Sequence, residues 1–101
     1  MPAEEILISI VVAPSLEAAL VDWLLDHEQV TGFTSLPVNG HGSSIHSMSL
    51  AEQVAGSQRK LLFQVHLPAT QAHALIEALR SDFANAGIHY WLTPLLAGGR
   101  I

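Results

Sequence analysis

The sequence predicts a ferredoxin-like α+β sandwich, a four-stranded antiparallel sheet with two helices on one face, in the order β-α-β-β-α-β. Three observations lead there. The chain has 101 residues, 50% hydrophobic and only 13% charged, which suits one folded domain and not a disordered chain. Two stripes of apolar residues recur at helical spacing, among four short stretches of strand character. In that order, two right-handed crossovers place both helices on the same side of the sheet.

Residues 6–13 (ILISIVVA) are short and β-branched, a strand with apolar groups on both faces. Pro14 breaks it, and Ser15 is placed to cap a helix whose first turn carries Glu17 against the dipole. Leu16, Leu20, Trp23, Leu24 and His27 give a helix over 16–27 one apolar stripe, and Thr31-Gly32 closes the segment. Residues 33–38 form a second strand, weakened at its end by Pro37. A loop rich in Gly, Ser and His runs over 39–58; within it Ser49 and Glu52 read as a capping box and Gly56 as a short helix's end. Strand character resumes over 60–67, with Leu61, Phe63, Val65 and Leu67 alternating against Gln64 and His66. Pro68 fits the first turn of a second helix with the stripe Ala72, Leu75, Ile76, Leu79 and Phe83. Gly87 suits a left-handed position after that helix, and 88–96 is the last strand.

Composition excludes several function classes. There is no cysteine, hence no disulfide, thiolate metal site or cysteine nucleophile. Four Lys and Arg against nine Asp and Glu give a net charge of −5, so no nucleic-acid partner is expected. The acidic start is not a secretory signal, and the run over 6–13 is far shorter than the ~20 residues a span requires, so a cytoplasmic protein without membrane insertion is expected.

The sheet poses a burial problem. Leu7 and Val11 face away from Ile6, Ile8, Ile10 and Val12; Trp91 and Leu95 face away from Tyr90 and Leu92; Leu62 lies on the second side of the third strand. The helices cover only one face, and each large apolar group left in water costs about 1.5–3 kcal/mol. A second copy is the simplest cover, so Leu7, Val11, Leu62, Trp91 and Leu95 are the expected homo-oligomer interface.

Four stretches carry a family resemblance: residues 30–33 (VTGF), residues 40–42 (GHG), residues 52–56 (EQVAG) with 63–65 (FQV), and residues 89–91 (HYW) with Pro94. With the strand order they cover nearly the whole chain. The sequence resembles the PII-like signal proteins, in particular a small subgroup often encoded beside heavy-metal efflux pumps of the resistance–nodulation–division type. The resemblance implies a trimer packed through its sheets, a long loop that senses a ligand and touches a partner, and a membrane transporter as that partner. Better-known members bind ATP or ADP between subunits, through a glycine-rich loop before the last strand and paired basic residues on it. Here those places read 85–89 (NAGIH) and 90–94 (YWLTP), without a cation, so adenine nucleotide is not expected. The 39–58 loop has no tyrosine, which excludes control by tyrosine modification there.

That loop is the candidate site. His41 and His46, five residues apart, can offer neutral imidazoles to a divalent transition metal; two solvated histidines are the plainer alternative. Gly40, Gly42, Ser43, Ser44 and Glu52 are the expected effector and partner contacts, and 40–44 could form a backbone anion nest. His73 and Glu77 share a helix face, His66 and His89 could meet across the sheet, and His27 suits a helix C-terminus. Ser43, Ser44, His41 and Asp82 supply the residue types of a hydrolytic triad without any pattern that joins them. An RNA-binding or acylphosphatase-like domain of the same strand order would need a basic surface or a phosphate loop that the sequence lacks. The sequence therefore predicts a non-enzymatic trimeric regulator that engages a partner through 39–58, or alternatively a module holding a divalent cation on the loop histidines.

Overall fold

Backbone pairing builds the expected sheet. The computed structural model describes residues 4–42, 50 and 56–101. Strands β1 (Glu5–Val12), β2 (Thr34–Gly40), β3 (Gln58–Pro68) and β4 (His89–Leu95) form one antiparallel sheet in the order β2-β3-β1-β4. Helices α1 (Glu17–Leu25) and α2 (Ala69–Asp82) complete the βαββαβ order of a ferredoxin-like α+β fold.

The core lies between the helices and one sheet face. Ile6, Ile8, Ile10 and Val12 from β1 and Phe63, Val65 and Leu67 from β3 meet Leu20 and Leu24 of α1 and Ala72, Leu75, Ile76 and Leu79 of α2. The strand period of two and the helical period of 3.6 put these residues on facing surfaces. At the end of α1, His27 Nδ1 donates to the Trp23 carbonyl at 2.7 Å, satisfying one of the carbonyls a helix leaves open. Trp23 stacks edge-on against Phe83 and donates Nε1–H to Asp82 Oδ2 at 2.8 Å, which ties the C-terminal ends of the two helices together.

Several boundaries differ from the sequence reading. Ser15 caps nothing: it lies inside a 3-10 turn, Pro14–Leu16, so α1 begins after Leu16 without a side-chain cap. Pro37 does not end β2, which continues to Gly40, because an edge strand tolerates a missing N–H. Pro68 precedes α2 as its cap, and the first N–H of that helix, on Ala69, is taken by the Glu4 carbonyl at 2.8 Å. The second strand of the central hairpin starts at Gln58, so the long loop is the shorter span 41–57. After α2 the chain turns through two left-handed residues, Asn85 (φ 63°) and the expected Gly87 (φ 74°). The expected capping box at Ser49 and Glu52 lies outside the described residues.

Candidate functional site

The register fixes what lies on the sheet face turned away from α1 and α2. Val11 sits opposite Leu62 on one side and His89 on the other; Ser9 sits between Gln64 and Trp91; Leu7 sits between His66 and Thr93; Glu5 sits opposite Leu95. Leu36 pairs with Leu62 and extends the row onto β2. Leu7, Val11, Leu62, Trp91 and Leu95 therefore share one face, and it is the open one. Trp91 keeps 49% of its surface exposed and Leu36 38%, while Ser9 in the centre is buried to 2% by its neighbours.

A polar cluster closes one end of this face. The Glu5 carboxylate lies 3.4 Å from His66 Nε2, and its Oε2 is buried without a hydrogen-bond partner. The C-terminal tail crosses this spot so closely that a Cβ on Gly98 would lie 2.7 Å from His66 Cε1. His66 and His89 do not meet. Both are on the open face, but His66 is opposite Leu7 and His89 opposite Val11, on different strands.

The other end of the sheet holds the foot of the long loop. A cleft of about 460 Å³ is lined by Pro14, Glu17, Pro37, Val38, Asn39, Arg59, Lys60 and Leu61. Two of the chain's four Lys and Arg residues thus line one cleft beside the loop. The Lys60 stem lies across Gly40, where an added Cβ would be 3.2 Å from Lys60 Cγ. Sequence reasoning looked for cations before and along the last strand and missed Arg59 and Lys60. The signal was available: an Arg–Lys pair at the start of a strand that leaves the long loop.

Of the loop residues singled out, Gly40 ends β2 and His41 and Gly42 are exposed just beyond it. His41 Nδ1 lies 3.3 Å from the Gly56 carbonyl, so the two ends of the loop are joined through that imidazole. His46, Ser43, Ser44 and Glu52 lie outside the described residues. Among the described residues, no group of three His, Cys, Asp or Glu side chains could hold a metal. His73 and Glu77 are both exposed, and Glu77 lies 3.8 Å from Arg80 Nε. Asp82, a candidate triad member, is engaged by Trp23. No described helix is long and apolar enough to cross a membrane.

The fold is shared with solved structures along the full length of the chain. A DUF3240 family protein from Shewanella baltica matches with a TM-score of 0.77 at 23% identity, over 100% of this chain and 99% of that one. CPII, a nitrogen regulatory PII-like protein from Thiomonas intermedia bound to ADP, AMP and bicarbonate, matches with a TM-score of 0.70 at 18% identity, over 97% of each chain. The same protein bound to ADP, AMP and acetate gives 0.69 at 16% identity, over 96% of this chain and 91% of that one. At these identities the likeness is one of fold. No curated protein matches the chain in sequence. The family model described as protein of unknown function (DUF3240) matches residues 2–101, and the chain belongs to that family.

Proposed function

We propose that this protein is a non-enzymatic, PII-like regulatory protein of the cytoplasm. Copies assemble as a trimer through the open sheet face, a small anionic effector binds beside the long loop, and the loop over 41–57 engages a partner. The observation that carries this reading is the open face itself: Leu7, Val11, Leu62, Trp91 and Leu95 on one surface, with Trp91 half exposed and neither α1 nor α2 packed on it. The PII-like fold supports the regulatory class.

Sheet topology supports an effector site shared between copies. The foot of the long loop is at the β2 edge, and the turn before β4 is at the opposite edge, though both lie at the same end of the sheet. One chain cannot join them; two copies side by side can. Arg59 and Lys60 supply positive charge that the turn and β4 lack, so an anionic effector has donors at the loop foot. CPII, which shares this fold, is bound to ADP, AMP and bicarbonate, which makes adenine nucleotides and bicarbonate the first effectors to try here. The proposed partner is a membrane transporter, on the sequence resemblance to the efflux-associated subgroup. A cation-holding module has less support, since the described His41 faces the Gly56 carbonyl.

The deciding experiment is mass measurement in solution, alone and with ADP, AMP, bicarbonate, zinc, copper, nickel and cobalt. A trimer whose effector affinity falls with Arg59→Gln or Lys60→Gln is expected. A single-copy species across the micromolar range refutes the assembly. Metal binding abolished by His41→Ala with His46→Ala, and no response to anions, would replace this reading with the metal module.

A further inference from the structure

On the helix side of the sheet, at the free edge of β4, a separate groove of about 310 Å³ lies between the end of α2, the turn over 83–88 and Tyr90. This is the low end of the size range of small-molecule sites, usually ~300–1,000 Å³. Its lining is mixed, with polar and apolar surface in nearly equal share, and Ile76, Leu79, Phe83 and Ile88 are among its apolar residues. The left-handed residues Asn85 and Gly87 turn the chain tightly from α2 into β4 and so form the wall.

The rim carries a cation and a hydroxyl held against each other. Arg80 Nη2 donates to the Tyr90 hydroxyl oxygen at 2.7 Å, with the guanidinium carbon 5.7 Å from the centre of the Tyr90 ring. Because Tyr90 accepts that bond, its own proton is left to donate. Arg80 has further N–H groups beyond the one given to Tyr90. An oxygen pair that accepts from both the guanidinium and the phenol is what a carboxylate presents. Glu77, outside the groove's lining, lies 3.8 Å from Arg80 Nε and offsets part of the guanidinium charge, which favours a singly charged ligand over a dianion such as phosphate.

We propose that this groove is a binding site for a small monocarboxylate with a flat apolar body. The carboxylate sits on Arg80 and Tyr90, and the body lies against Ile76, Leu79, Phe83 and Ile88. The groove shares the turn over 83–88 with the effector site proposed above, but the two side chains that would hold the carboxylate, Arg80 and Tyr90, come from one copy.

The test is an amide NMR titration of the full chain with benzoate and indole-3-acetate, each against its neutral amide, and with inorganic phosphate. Saturable shifts centred on residues 76–90 are expected, with the amides binding about tenfold or more weakly. Arg80→Gln should weaken the acids by a similar factor and Tyr90→Phe by a few-fold. Arg100→Gln, the same charge change in the C-terminal tail, should leave them unaltered. Both site variants alter exposed residues, and their unshifted spectra away from the groove will show that they fold. The proposal is overturned if neither acid saturates, if acid and amide bind equally, if phosphate binds the groove more tightly than benzoate, or if the shifts map elsewhere.

Discussion

Replacing Trp91 by alanine tests the open face directly. An aromatic side chain can bury ~150–250 Å², and Trp91 retains 49% of its surface, so roughly 100 Å² of indole remains for a neighbouring copy to cover. At about 25 cal/mol per Å² this is about 2.5 kcal/mol per copy, or a factor of roughly 50–100 in each contact's association constant. Trp91→Ala should therefore move the dissociation midpoint in sedimentation velocity to much higher protein concentration. The isolated fold should suffer less than from a core change, because Ser9 and the cross-strand pairs remain in place. Leu25→Ala is the control: Leu25 is 69% exposed but belongs to α1, on the other side of the molecule, and its loss should not shift the midpoint. Assembly by Trp91→Ala at wild-type concentrations would refute the idea that this face is the interface.

Phe63, with no exposed surface and its ring 6.1 Å from that of Phe33, anchors the core; Phe63→Ala should cost about 3–5 kcal/mol in urea unfolding. Gly87→Ala meets no atom within 4 Å but must hold φ near +74°, so it should destabilise by about 1–2 kcal/mol in thermal unfolding, through the backbone alone. Trp23→Phe keeps the ring packing on Phe83 and removes the bond to Asp82; a loss near 0.5 kcal/mol is expected in the same assay, since that bond is exposed.

Most of the fold was legible because strand and helix periods are properties of the chain. Ile6, Ile8 and Ile10 alternate, and Leu75, Ile76 and Leu79 follow a helical stripe, so their burial needed no structure to foresee. The N-terminal caps were not legible. Ser15 is a good cap by residue type, but Pro14 starts a 3-10 turn one step earlier and the helix begins beyond it. Parity along each strand identified the open face, but the Glu5–His66 pair depends on the register between β1 and β3, which sequence alone leaves open. The Arg59–Lys60 cleft was hidden for a related reason: Pro14, Pro37 and Arg59 are distant in sequence and meet only because β1 and β2 end where β3 begins.

β3 connects these two regions. Lys60, at the loop foot, and Leu62, on the open face, are alternate residues on the same side of one strand, so charge at the foot and apolar contact between copies share a rigid element. A regulator that moves from 1:99 to 99:1 between two states needs about 5.5 kcal/mol of differential effector binding. Charge-assisted hydrogen bonds contribute about 1.5–3 kcal/mol each, so one cation is too few and two reach that figure only at the top of the range. Arg59→Gln and Lys60→Gln should then each leave effector binding measurable while partner engagement at saturating effector becomes incomplete. A variant that binds effector more weakly yet engages the partner fully at saturation would mean that these two side chains supply affinity but not the switch.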